Sequence, residues 1–256
     1  MRSSARPARA ALALAASVAL VTACGGGDGD GDEAASSSPA SSSAAEQSSA
    51  AEEPDLASGL LAAEAFGPDA AVVAITREQL AQGAGLAASN AEGLKITPAE
   101  CAVAVEGTQP EFDDFDDIAA QSATTGSATT VEVLVRGGPT KDTVGQLEEA
   151  AARCPQAQIT SPAIGSATIT FEPLEVGDLG DAAALLRYTT AVALPDGTQA
   201  TVPALIGAVQ DGDRVVILMN LETSAIAGGG AGAPADPAAF ADLLAQAYAA
   251  QAEALD

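Results

Sequence analysis

The cleanest alternation of apolar and polar positions runs from Thr129 to Arg136, with Val131, Val133 and Val135 on one face and Thr130, Glu132 and Arg136 on the other. A period of two predicts a half-buried strand, to which Leu134 is the exception. Ala70–Ile75, Thr168–Glu172, Leu186–Leu194, Ala200–Val209 and Arg214–Asn220 predict further strands. The last three are separated by Pro195-Asp196-Gly197 and Asp211-Gly212-Asp213, tight turns in place of crossover helices, so they read as an antiparallel meander. Val215–Met219 is apolar throughout, as in a central strand covered on both faces, whereas Pro203 implies a bulge or an edge position.

Helical spacing appears in four places. Leu56, Leu60 and Ala63 share one side of a predicted helix over Asp55–Phe66, which Gly67-Pro68 stops. Thr97-Pro98-Ala99-Glu100-Cys101 has the form of a capping box, predicting a short helix that carries Cys101 on its first turns. Thr140–Arg153 turns Val144, Leu147 and Ala151 inward and delivers Cys154 at its end. Asp236 caps a terminal helix with Pro237 at its first position, and Phe240, Leu243, Leu244, Ala247, Tyr248 and Leu255 form its apolar side. Glu111–Asp117 crowds five carboxylates around Phe112 and Phe115. Its plainest reading is a helical turn anchored by the two aromatics with the acids in water. The alternative is a site for a cation or a basic partner, with Asp113, Asp114, Asp116 and Asp117 as at most a weak calcium site. The pattern as a whole predicts an α+β fold: a single domain, mainly an antiparallel twisted sheet against helices.

Before residue 55 the pattern is of another kind. Arg2, Arg6 and Arg9 precede a mostly apolar run of 14 residues, Ala10–Ala23, short of the ~20 that a membrane-spanning helix needs. Val21-Thr22-Ala23-Cys24 resembles the bacterial lipoprotein signal, in which a peptidase cuts before a cysteine carrying diacylglycerol. The resemblance implies that residues 1–23 are a cleaved signal peptide. It makes Cys24 the acylated mature N-terminus, anchored at the extracytoplasmic face of the cell membrane. Residues 24–54 are Gly-, Asp- and Ser-rich with almost nothing to bury, a disordered tether spanning roughly 30 Å. The folded domain is then 55–256.

Composition narrows the chemistry. With 35 acidic residues against 10 basic, the formal charge is −25. Such a surplus repels phosphate backbones and anionic headgroups, which argues against nucleic acid and leaves membrane attachment to the lipid. There is no His and no Trp, so Ser-His-Asp and Cys-His catalysis and histidine metal sites are excluded. A serine nucleophile would need a lysine base, yet Lys95 and Lys141 are the only lysines and neither sits in a Ser-x-x-Lys pattern. Gly228–Gly232 opens no helix and belongs to no βαβ unit, so no motif calls for a cofactor. If lipid consumes Cys24, Cys101 and Cys154 are left to pair, or to stand as two buried thiols.

Several segments in order carry a wider resemblance: Pro-Ala-Glu-Cys at 98–101, Ala-Ala-Gln at 119–121 before a Val-Glu-Val strand, Arg-Cys-Pro at 153–155, Leu-Gly-Asp-Ala at 179–182, and the final amphipathic helix. Over roughly Asp55–Asp256 the chain resembles actinobacterial exported lipoproteins similar to the extracellular sensor domain of mycobacterial serine/threonine protein kinase H. It departs from that sensor in lacking tryptophan and in having two cysteines after the anchor where the sensor has two bridges. The resemblance implies an α+β fold with a cleft, no enzyme activity, a bridge between Cys101 and Cys154, and ligand binding at the cell envelope. The expectation is a non-catalytic, membrane-anchored lipoprotein that binds a small molecule, a lipid or a protein. A lipid carrier of the envelope and, further off, a hydrolase are the alternatives.

Overall fold

Strand and turn chemistry places nine strands in one sheet. In chain order they are β1 (Ala71–Ile75), β2 (Lys95–Thr97), β3 (Asp117–Thr125), β4 (Ala128–Arg136), β5 (Gln156–Ser161), β6 (Gly165–Leu174), β7 (Ala182–Ala193), β8 (Gln199–Asp211) and β9 (Arg214–Glu222). Their order across the sheet is β1-β3-β4-β9-β8-β7-β6-β5-β2, and every pairing is antiparallel. The computed structural model describes residues 54–91, 93–102, 114–161, 165–193, 199–222 and 235–256. Cys24, Glu111, Phe112, Asp113, the Pro195–Gly197 turn and Gly228–Gly232 lie outside them.

Two-residue turns close the β3–β4 and β8–β9 hairpins, with Thr125 opposite Ala128 and Asp211 opposite Arg214. Gly126 and Gly212 take the positive φ such turns demand. Among the described residues the sheet is accompanied by three α-helices, α1 (Arg77–Ala91), α2 (Thr140–Arg153) and α3 (Pro237–Leu255). α1 carries the chain from one edge strand to the other, and α2 from β4 to β5.

Because side chains alternate across a strand, the sheet has two apolar faces and a core on each. On one, Val144, Leu147 and Ala151 of α2 meet Val133, Val135, Phe171, Leu186 and Val215. On the other, Phe240, Leu244 and Ala247 of α3 meet Leu134, Leu205, Val209, Val216 and Leu218, together with Leu56 and Leu61 from the N-terminal segment. Each large apolar side chain so buried contributes about 1.5–3 kcal/mol. β9 is covered on both faces, as its unbroken apolar run predicts. Pro203 lies one residue beyond the last β8–β9 pair, Ala204 against Leu221, where β8 has become locally an edge.

The structure corrects several expectations. β4 is not half-buried: Glu132 and Leu134 are both 0% exposed, so its second face is covered as well. Asp55–Phe66 is two 3-10 turns, Leu56–Gly59 and Ala63–Phe66, in place of one helix. Between them the N–H and C=O of Leu61 bond to Glu132 and Gln121, which diverts the backbone from a continuous helical ladder. No capping box forms at Thr97: Thr97 is held in β2 opposite Gln158, a cis peptide joins it to Pro98, and Ala99–Cys101 is a single 3-10 turn. The box is at Thr76 instead. There the Gln79 N–H donates to Thr76 Oγ1 at 3.2 Å and the Thr76 N–H to Gln79 Oε1 at 2.8 Å, starting α1 where no helix is read from the apolar pattern. β2, β3 and β5 are likewise additions, and β6 and β7 extend beyond their predicted runs.

Candidate functional site

Of the cysteines, Cys101 and Cys154 are joined in a disulfide with their Cα atoms 5.5 Å apart, bridging 53 residues of sequence. α2 ends beside the 3-10 turn that follows β2, so the bridge ties the crossover helix to the β2 edge. Both cysteines are buried against Ala157 and Ile96.

The most unusual polar group is Glu132. It sits in the middle of β4 directly opposite Gln121 of β3. Gln121 Nε2 donates to Glu132 Oε2 at 2.7 Å and to the Leu61 carbonyl at 2.8 Å. The Leu61 N–H donates to both carboxylate oxygens at 3.2 Å. Burial raises the Glu132 carboxyl above its ordinary value, and the bonds from Gln121 and Leu61 pull the other way. Sealed from water, this group can clasp the N-terminal segment to the sheet but cannot reach a substrate.

The described part of the acidic stretch, Asp114–Asp117, is engaged within the fold. Phe115 is buried and Asp117 opens β3; Phe112, the other anchor of the expected helical turn, lies outside the described residues. The Asp117 carboxylate accepts from Arg136 at 3.0 Å, and Arg77 donates to the carbonyls of Phe115 and Asp116. Asp114 and Asp116 lie against Gly137 and Gly138, whose positive φ makes the turn into α2 and where a Cβ would collide with them. Among the described residues no three Asp, Glu, His or Cys side chains are grouped to hold a metal ion.

A shallow hollow of about 330 Å³ opens beside the β6–β7 connection. Its wall includes Glu148, Glu175, Asp178 and Asp181 alongside Leu174, Val176 and Leu179. Such a lining suits a cationic or neutral polar molecule better than a phosphate or an acyl chain. Leu179–Ala182 fixes its rim: the Asp181 N–H donates to the Gln210 carbonyl at 2.8 Å, and the Gly212 N–H to Asp181 Oδ2 at 2.9 Å. Gly180, at positive φ, passes too close to the Gln210 carbonyl for any side chain.

The described arginines are engaged within the fold. Arg153 pairs with Glu149, Arg187 with Glu172, and Arg214 with Asp211 and Asp256. Lys95 is exposed on β2, and the side chain of Lys141 is outside the described ones. Gln251, at a core-facing turn of α3, is 0% exposed, and neither its Nε2 nor its Oε1 has a hydrogen-bond partner among the described residues.

No protein-family model matches the chain, and no curated protein matches it. Solved structures that are similar include two mycobacterial proteins. One is an uncharacterized protein of Mycobacterium smegmatis, the Rv0999 ortholog, at 18% identity and a TM-score of 0.45, the match covering 78% of this chain and 97% of that one. The other is the extracellular domain of PknH from Mycobacterium tuberculosis, at 10% identity and a TM-score of 0.44, covering 77% and 93%. The second is the sensor domain whose motifs the sequence resembles. Likeness at this level carries no argument about ligand or activity.

Proposed function

We propose that this chain is an extracytoplasmic lipoprotein anchored through Cys24, with a non-catalytic domain over 55–256 that binds a ligand or a protein partner at the cell envelope. The observation that carries the reading is the Cys101–Cys154 disulfide. Such bonds persist in oxidising compartments, and pairing these two leaves Cys24, at the end of the lipoprotein-like signal, as the one cysteine for acylation. Residues 1–23 are then removed and 24–54 form the tether. The hollow beside the β6–β7 connection is the place for a small ligand, and its carboxylates select against anions.

That same lining speaks against a lipid carrier, which needs an enclosed apolar cavity. A hydrolase finds little support in Glu132, sealed from water, or in Lys95, exposed on an edge strand.

Intact-mass analysis of the protein extracted from membranes tests the anchor: the expected species begins at diacylated Cys24, and a chain starting elsewhere or lacking lipid overturns it. Recovery from native membranes with neither a molecule nor a protein attached would defeat the binding half. Hydrolytic turnover lost on Lys95→Ala or Lys141→Ala would instead establish an enzyme.

A further inference from the structure

The two edges of the sheet are built in opposite ways. β2 is three residues long, carries Lys95 and runs straight into Pro98, all devices that prevent another strand from adding to an edge. β1 has none of them. Its five residues, Ala71-Val72-Val73-Ala74-Ile75, are apolar without exception, and among the described strands it pairs with β3 alone. Val73, at 61% exposure, is the one exposed large hydrophobic side chain among the described residues. No described strand lies along the outer side of β1, whose outward N–H and C=O groups are a template for a further strand.

We propose that β1 is a self-association edge, at which a second copy of this chain adds its own β1 antiparallel about a two-fold axis through Val73. The strand suits itself in this register: Val73 meets Val73 of the other copy, Val72 meets Ala74, and Ala71 meets Ile75, so apolar side chains oppose apolar ones throughout. The flanks agree in sign. Asp69 lies two residues before the strand and Arg77 two after it, so the antiparallel arrangement brings the acid of one copy to the end where the other has its base. A parallel arrangement would set Asp69 beside Asp69. Pairing joins two nine-stranded sheets into one and covers the exposed Val73. The partners share a formal charge of −25 each, so long-range repulsion opposes the contact and salt relieves it.

The test uses the full chain with Cys24→Ser, which removes any lipid and touches no described residue. Analytical ultracentrifugation at about 100 µM protein is expected to show a dimer whose dissociation constant falls as salt rises from about 0.05 to about 0.5 M. Val73→Lys should return it to a monomer with an unchanged far-UV spectrum and melting temperature, since the side chain is in solvent. Mild oxidation of Val73→Cys should give a covalent dimer. Ala71→Cys should not, because the two copies of residue 71 lie about 14 Å apart in this register. A chain that stays monomeric at high salt, a dimer that Val73→Lys leaves intact, or equal crosslinking at 71 and 73 would each overturn the proposal.

Discussion

At the scale of single residues, the energetically most exposed choices are two polar side chains buried without any exposure, Glu132 in the sheet and Gln251 in α3. Burial raises the Glu132 carboxyl above its ordinary value of 4.5. Between that value and the folded-state pKa the native protein holds the proton more tightly than the unfolded chain. The contribution is therefore fully present below 4.5 and is lost as pH rises through the folded value. Glu132→Gln removes this dependence. The stability of the wild type relative to the variant is thus expected to increase as pH falls through that window, read from paired urea titrations, and a flat difference would show that burial does not dominate. Gln251 presents the contrasting case. With both amide atoms unpartnered and the side chain fully buried, Gln251→Met keeps the volume and removes an unmet desolvation penalty, so it should stabilise by about 1 kcal/mol. Destabilisation would mean that the amide does have a partner. Neither residue stands out in the sequence. Glu132 reads as the solvent side of an alternating strand, and Leu134, the one break in that alternation, was the signal that the face is buried.

At the scale of elements, legibility follows the strength of the local pattern. α2 is read to the residue from its apolar stripe, and α3 from its apolar stripe together with its cap, Asp236. α1 is missed because two glycines and small residues leave it almost no stripe, although Thr76 and Gln79 mark its start. β3 is missed because Ala, Ser, Gln and Thr do not alternate visibly. The N-terminal segment fails for a nonlocal reason: its conformation is set by Glu132 and Gln121, each at least 60 residues away in sequence. Of the candidate site, the cysteine pairing was within reach of counting, whereas the hollow was not, since it depends on Asp181 meeting the β8–β9 turn. The segments behind the family resemblance prove to be ties within the fold: Gln121 with Glu132, Cys101 with Cys154, Asp181 with Gly212. The cysteine tie is the largest of these. Closing a loop across 53 residues of sequence restricts the unfolded chain by about 4 kcal/mol on the chain-entropy model. Cys101→Ala with Cys154→Ala should lower the unfolding free energy by about that amount in urea titrations, and a loss below about 1 kcal/mol would show that helix and edge are held without the bridge.

At the scale of the molecule, the acidic surplus sets two opposing electrostatic effects, and magnitudes decide between them. Attraction resides in a handful of pairs, and Arg153–Glu149 is typical: its partners are 63% and 67% exposed, which makes such a pair worth about 0.5 kcal/mol or less. Repulsion acts among the 28 acids of residues 55–256, with only 7 bases there to offset them, and compaction brings them closer. Salt weakens both, but the repulsive sum is larger because most acids have no cation to pair with. Raising ionic strength from about 0.01 to about 0.5 M shortens the screening distance from about 30 Å to a few ångström, shorter than most distances between surface carboxylates. Stability should therefore rise with salt, by about 1 kcal/mol or about 2–4 °C in Tm for a domain of this size. Sodium chloride and potassium chloride should act alike, since the argument rests on screening and not on a bound ion. A Tm that falls with salt would show that the arginine contacts outweigh the surplus. A jump specific to calcium would instead locate a cation among the carboxylates.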